Sequence, residues 1–403
     1  MKRTWARAAA IGALIASLIL AGAARAGDEP VLRELDAGEV AAARVGSILR
    51  IWPQIGGSVE HARAFRILYR STGLNGEPIV VSGAVFVPDG PPPHGKRDII
   101  AWAHPTTGVV GRCAPTKLAN LSGTVSGLEE MLRRGFVVTA TDYPGLGVDG
   151  IHPYLVGISE ARSVLDSVRA ARELAGAAAS NRFAVWGHSQ GGHAALFTGE
   201  EAPRYAPELQ LVGVAAAAPP TDLVAVFKAD ERAQSGSGLT AMALLAWSEV
   251  YHIPLDTMLA RGTRATFDAV ATSCIQSVEE LLTLKQLEKP LKYRFLKGDP
   301  TTTAPWRDLM ETNSTGGSPI GVPVFITQGV ADDVVHPRHH AEVRPSALPI
   351  GHTRLPEAAE AHRARLRRIR QRRRRRRLDA DRFDGRSPPQ RLPPRSRRGA
   401  IPA

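Results

Sequence analysis

Apolar and polar positions fall along this chain in blocks. Six β-rich apolar runs, at residues 78–87, 98–103, 136–141, 183–186, 211–216 and 322–327, are each bounded by Gly, Pro, Asp or Asn. Short apolar runs with such boundaries predict strands buried on both faces. Stretches with helical periodicity separate several of them, at 122–134, 159–175 and 190–200. Strands that alternate with helices pair in parallel through right-handed crossovers, so the pattern predicts an α/β fold with a mostly parallel central sheet. No internal repeat is present, and the length suits one large domain carrying an insertion.

The amino terminus follows a different pattern. Lys2, Arg3 and Arg7 precede an apolar stretch at 8–21, and Ala24-Arg25-Ala26 then places small residues two apart. That order predicts a secretory signal cleaved after Ala26. A membrane-spanning helix needs about 20 apolar residues, whereas polar sequence begins here at Gly27-Asp28-Glu29-Pro30. No later stretch is apolar for long enough, so the expectation is an exported chain without a transmembrane anchor, extracellular or in the periplasm or cell envelope.

Charge changes the picture at the other end. Of 51 Lys and Arg against 39 Asp and Glu, residues 336–403 hold 20 and 6, which leaves 31 and 33 for residues 1–335. The whole positive excess therefore sits in the last part of the chain, where Arg372 to Arg377 are consecutive and Pro388, Pro389, Pro393 and Pro394 follow. Such a segment repels itself and offers little to bury, which predicts disorder over 364–403. Aromatic residues that would stack on bases are nearly absent there, so no nucleic-acid partner is expected.

One predicted strand ends in chemistry. Phe183-Ala184-Val185-Trp186 runs into Gly187-His188-Ser189-Gln190-Gly191-Gly192, a G-x-S-x-G sequence between a strand and a helix. In that setting the glycines permit a sharp turn that presents Ser189 as a nucleophile, and the following helix aims its amide groups at a developing oxyanion. His188 adjoins Ser189, but on such an elbow its side chain points away, and it reads as a packing or surface residue. A serine hydroxyl needs a histidine base, and the histidine needs a carboxylate to orient it. In this architecture the order along the chain is Ser, acid, His. After the run at 322–327 comes Gln328-Gly329-Val330-Ala331-Asp332-Asp333, in the loop where the acid belongs; Asp332 is preferred to Asp333. One oxyanion donor is the Gln190 amide, and Thr106, in His104-Pro105-Thr106-Thr107-Gly108, is the expected second. His336, His339 and His340 lie near Asp332 and Asp333, but no H-E-x-x-H spacing is present, so no metal is predicted. The lack of a phosphate-cradling glycine loop predicts no cofactor.

Five motifs then occur in order: Ala101-Trp102-Ala103-His104-Pro105-Thr106-Thr107-Gly108, Cys113-Ala114-Pro115, Asp142-Tyr143-Pro144-Gly145-Leu146-Gly147, the Ser189 elbow, and Gln328-Gly329-Val330-Ala331-Asp332. Together they resemble the secretory lipase family of the lipase A type, over roughly residues 45–335. The resemblance implies an α/β-hydrolase fold with a helical cap inserted between strands 6 and 7, acting on carboxylic esters and commonly on triacylglycerols, with an ester or lipid substrate met at a lipid–water interface. On that basis the chain divides into a signal peptide (1–26), a first part of the core (27–219), a cap (220–318, with helical runs at 239–249 and 278–287), a last part of the core (319–363) and the tail (364–403).

In an exported protein two cysteines imply pairing, and Cys113 with Cys274 would tie the loop beyond the third strand to the cap. Beyond Pro337 nothing matches the family pattern. His352, in Leu348-Pro349-Ile350-Gly351-His352, has the better local setting for the triad histidine, and His362 the better distance from Asp332. Three functions share these residues: a lipase, a short-chain esterase or acyltransferase using the same acyl-enzyme, and a lipid-binding protein that keeps the fold but has lost its base.

Overall fold

A computed structural model describes residues 35–53, 59–92, 95–232, 237–291, 295–332 and 334–335. The predicted leader, Asp333, His336, His339, His340, both candidate triad histidines and the arginine-rich segment lie outside the described residues. Among the described residues eight strands form one sheet: β1 (Ile48–Pro53), β2 (Ala62–Thr72), β3 (Pro78–Pro88), β4 (Arg97–Ala103), β5 (Val137–Thr141), β6 (Ala179–His188), β7 (Gln210–Ala217) and β8 (Val324–Thr327). Their spatial order is β1-β2-β3-β5-β4-β6-β7-β8. From β5 through β4, β6 and β7 to β8 all pairing is parallel, while β1, β2 and β3 add antiparallel strands beside β5.

The six runs marked by hydropathy all become strands, and β5 is buried at every position. β1 and β2 are additional, and the reason is charge. Arg63, Arg66 and Arg70 interrupt β2, whose buried Ile67, Tyr69 and Ser71 recur every second residue on one face, while the other face carries half-buried Arg66 and Arg70 around buried Leu68. An antiparallel strand with one solvated face shows alternation rather than a continuous apolar run. The expected helix at 122–134 is also revised. A 3₁₀ turn at Ser122–Thr124 is followed by Gly127 at φ +78°, and only then by α2, Leu128–Arg133, the second helix after α1 at Ala37–Ala42. A residue with left-handed φ ends a helical run, and glycine takes that conformation at little cost.

Two long helices carry the site. α3 (Gly157–Glu173) and α4 (Gln190–Tyr205) pack on each other and on the sheet. Their approach depends on small residues: a Cβ on Gly157 would lie 2.3 Å from the Phe197 ring. Five further helices, α5 (Leu223–Arg232), α6 (Ser237–Tyr251), α7 (Arg264–Ala271), α8 (Val278–Leu287) and α9 (Trp306–Thr312), lie between β7 and β8. The insertion follows β7 in chain order, which is the expected place between the sixth and seventh strands once the additional edge strand β1 is left out of the count. It has a core of its own, with Met242, Trp247, Phe267, Trp306 and Met310 buried together. α6 is apolar on nearly every face, as a helix wrapped by others must be, and Trp247 donates its indole N–H to the Tyr154 carbonyl (2.9 Å) at the boundary with the sheet domain. No helix among the described residues is long and apolar enough to cross a membrane.

Candidate active site

Ser189 stands between the carboxyl end of β6 and the first turn of α4, with φ 55° and ψ −122°. A non-glycine residue held there stores about 1–3 kcal/mol of backbone strain, which persists only when the surroundings enforce it. The enforcement is visible. The Ser189 amide donates to the Ala217 carbonyl (2.8 Å), and its own carbonyl accepts from the His193 amide (3.1 Å). Gly187 and Gly191 face each other so closely that a Cβ on Gly187 would sit 1.9 Å from the Gly191 oxygen. A Cβ on Gly191 would sit 1.9 Å from the Ala103 carbonyl, at the end of β4. The two glycines of G-x-S-x-G are thus required by contact as well as by turn geometry. Gly191→Ala is expected to push β4 and the following loop away from the elbow and to lower kcat more than it raises KM, which steady-state kinetics will separate.

Left-handed backbone recurs around this turn, at Tyr143 (φ 67°), Leu155 (φ 55°) and Ala218 (φ 48°). Each is pinned. Ala218 donates its amide to Thr327 at the end of β8 (2.7 Å), Leu155 to Glu160 Oε1 (3.2 Å), and Tyr143 to Thr141 Oγ1 (3.0 Å). The Tyr143 hydroxyl then donates to the His104 carbonyl (3.1 Å), so the Asp142-Tyr143-Pro144-Gly145 motif buttresses the loop expected to supply the second oxyanion donor. Asp142 anchors that motif from below, accepting from Ser82 Oγ (2.6 Å), the Thr116 amide (3.1 Å) and the Thr116 hydroxyl. Burial raises its carboxyl above the usual range, and the hydroxyl bonds act against that shift.

Thr106 lies on the buttressed loop, and its hydroxyl shares a 2.9 Å hydrogen bond with the Tyr154 hydroxyl. Ser189, Gln190 and Tyr154 line a cavity of about 30 Å³, closed on one side by α5 and on another by Val334 and Val335. Those two valines bring in the acid loop. Asp332 Oδ1 accepts from both of their amides (3.0 Å each), and Oδ2 accepts from Gln328 Nε2 (2.9 Å). The elbow and the Asp332 loop therefore reach one cavity, although 143 positions (332 − 189) separate them in sequence. His188 is exposed, as expected; partial desolvation lowers its proton affinity, and the nearby Asp332 charge acts the other way.

Behind Ser189 lies a buried polar cluster with no signature in the sequence. Gln190 Nε2 donates to Glu160 Oε1 (2.8 Å) and to His152 Nε2 (2.7 Å). His152 in turn bonds the Pro144 carbonyl through Nδ1 (3.0 Å), and burial pushes its pKa down to about 4, so it stays neutral. Glu160 Oε2 meets His193 Nδ1 (2.8 Å), while His193 Nε2 meets the Asn313 carbonyl (2.7 Å). Both nitrogens of His193 therefore face oxygens that can accept from them. Asn313, just past α9, also accepts from the Gly157 amide (3.0 Å), which ties the helical insertion to α3 and α4.

The predicted disulfide is present. Cys113 and Cys274 are bonded with Cα atoms 5.2 Å apart, across 161 positions of sequence. The Ile275 amide donates to the Thr107 carbonyl (2.8 Å) and Gln276 Nε2 to the Cys113 carbonyl (2.6 Å), so the bridge fastens the Thr106 loop to the segment after α7. Gly108, at φ +130°, leaves room for it: a Cβ there would lie 2.5 Å from Cys113 Sγ. Replacing both cysteines by serine is expected to lower stability by about 2–5 kcal/mol, read as a shift in denaturant midpoint. No cluster of metal-binding side chains occurs among the described residues.

A serine elbow at the end of a central parallel strand, in a sheet of this order with a helical insertion, defines an α/β-hydrolase. The chain belongs to the secretory lipase family, whose model matches residues 122–344. That match runs past Pro337, where the sequence pattern had ended, and it begins after the Thr106 loop. The chain is 28% identical over 201 residues to a protein of Mycobacterium tuberculosis named a probable inactive lipase, covering 47% of this chain and 43% of that protein. It is 26% identical over 312 residues to a secreted triacylglycerol lipase of Malassezia furfur, covering 72% of this chain and 62% of that one. The matched segments thus span less than two thirds of these relatives' length. Candida antarctica lipase A in its closed state superposes with a TM-score of 0.64 at 18% identity, over 79% of this chain and 78% of the other, a likeness of fold.

Proposed function

We propose that this protein is a secreted carboxylic-ester hydrolase, with triacylglycerols as the leading substrate class, acting through an acyl-enzyme on Ser189. The observation that carries this is the strained Ser189 elbow opening into the cavity that the Asp332 loop also lines. In this scheme the Ser189 hydroxyl attacks the ester carbonyl and loses its proton to a histidine, for which His352 is the first choice and His362 the second. The Asp332 carboxylate holds that imidazole in the tautomer that accepts the proton. The oxyanion is met by the amides of Gln190 and Thr106, and water then releases the acid. A cavity of about 30 Å³ is far smaller than the roughly 300–1,000 Å³ of a ligand pocket, so an acyl chain enters once the helices over Ser189 have moved. The name of the Malassezia furfur relative supports both the substrate class and secretion.

One observation favours a second reading. The family match ends at residue 344, before both candidate histidines, and one relative bears the name of an inactive lipase. A chain without the base would keep the fold and bind lipid with little turnover. A fluorophosphonate probe and a series of p-nitrophenyl esters decide between them. Covalent labelling at Ser189 with hydrolysis of the esters is the result expected; lipid binding with neither labelling nor hydrolysis would overturn the assignment. The chain-length profile then separates lipase from short-chain esterase, and product analysis with added alcohol reveals an acyltransferase.

A further inference from the structure

The cavity beside Ser189 is apolar over most of its wall, through Leu155, Pro220, Val226, Phe227 and Leu239, yet it contains a carboxyl group. Asp230, on α5 of the insertion, is 8% exposed and lines this cavity. Its only hydrogen bond among the described residues is one of 3.5 Å from Thr240 Oγ1, at the limit of what counts as a bond. Asp230 is thus an acceptor with little hydrogen bonding from the described residues, in an otherwise apolar space. Buried acceptors left unpaired cost free energy, and a ligand that brings a donor recovers it. A plain alkyl chain brings none.

We propose that Asp230 is a specificity-determining residue, and that the cavity selects esters carrying a hydroxyl group near the scissile carbonyl over esters with only an alkyl chain there. This rests on Ser189 being the nucleophile. The physical basis is that of any site built to hydrogen-bond a substrate hydroxyl: the analogue that lacks it leaves the protein's polar groups unpaired, which discriminates more strongly than a change in apolar volume. Burial, opposed by the Thr240 contact and reinforced by the Glu288 charge, raises the Asp230 pKa to about 7. Glu288, after α8, and the Tyr154 phenol are the titratable groups acting with it, and the phenol is held well above its ordinary range by burial. Asp230 is expected to change charge through neutral pH, and preference for the hydroxylated ester grows as it ionises.

The test measures kcat/KM for p-nitrophenyl 3-hydroxybutyrate and p-nitrophenyl butyrate between pH 6 and pH 8.5, in wild type, Asp230→Asn and Asp230→Leu, with fluorophosphonate labelling of Ser189 in each. The ratio of the two substrates cancels any titration common to both. The wild type is expected to favour the hydroxylated ester, increasingly as pH passes about 7. Asp230→Leu should lower the ratio about tenfold or more, and Asp230→Asn, which keeps an acceptor but cannot ionise, should hold it flat with pH. If the leucine variant does not fold, the flat profile of the asparagine variant carries the decision. Equal ratios in all three proteins with Ser189 fully labelled would overturn the proposal and leave the nucleophile standing. Failure to label Ser189 in the wild type would overturn the nucleophile, and this proposal with it.

Discussion

Ser189→Ala is expected to abolish fluorophosphonate labelling and to lower kcat on p-nitrophenyl esters by about 10⁵–10⁶-fold, the scale on which removing the serine of a triad acts. Asp332→Asn should lower kcat by about 10⁴-fold, because the base then loses the partner that fixes its tautomer. The Asp332 loop bonds make that comparison informative. Its Oδ1 accepts two backbone amides, and an asparagine oxygen can still accept both, so the turn at Val334 and Val335 is kept while the charge and the bond from Gln328 Nε2 are lost. Stability offers a separate check on the elbow. Ser189 is held at φ 55°, a conformation that glycine adopts with little strain. Ser189→Gly should therefore be more stable than Ser189→Ala by about 1 kcal/mol, with both inactive. Equal stability of the two variants in urea would mean that the turn is not strained at this residue.

Glu160→Ala is expected to destabilise the fold by about 3–5 kcal/mol, because it leaves His193 as a buried donor facing nothing. Both side chains are fully buried, and the contact between them is 2.8 Å. Glu160→Gln is expected to cost less than about 1.5 kcal/mol, and the reason is geometric. A glutamine oxygen can keep the bonds from Gln190 Nε2 and the Leu155 amide, while its Nε2 donates to His193 Nδ1. His193 then needs one proton only, on Nε2, to reach the Asn313 carbonyl. Each hydrogen bond made to Glu160 and His193 then still has one donor and one acceptor. Chemical denaturation of the three proteins reads the difference. A glutamine variant as unstable as the alanine variant would show that the charge, not the hydrogen bonding, holds α3, α4 and Asn313 together. Because Gln190 leans on Glu160, Glu160→Ala should also lower kcat through a displaced oxyanion donor, without affecting which residue the phosphonate labels.

The parts of this protein readable without coordinates are those whose physics is local. Strands of a covered parallel sheet carry continuous apolar runs, so β3 to β8 stood out, even though β7 and β8 keep half-buried and exposed positions among the described residues, and a turn that needs two glycines around a serine must carry them nearby. The cysteine pairing was legible because two cysteines allow one partner each. β1 and β2 escaped because their arginines break the apolar run, and the period-two alternation of Ile67, Tyr69 and Ser71 was the signal that would have found β2. The helix expected at 122–134 shortened because glycine at 127 can adopt a left-handed φ, a choice made by the surroundings.

Tertiary structure alone decided what surrounds Ser189. Glu160, His193 and Asn313 come from separate elements, and a buried hydrogen bond requires complementarity in space with no spacing rule along the chain. The same holds for Asp230, which looks in sequence like one more acid on a surface helix. Only the packing of α5 over the elbow turns it into a buried carboxyl in the cavity that Ser189 lines. Local sequence determined which residue stands on the elbow and is proposed as the nucleophile, because the elbow is a property of six adjacent residues. The fold decided what Ser189 meets, because an enclosed cavity is made by elements that the sequence keeps far apart.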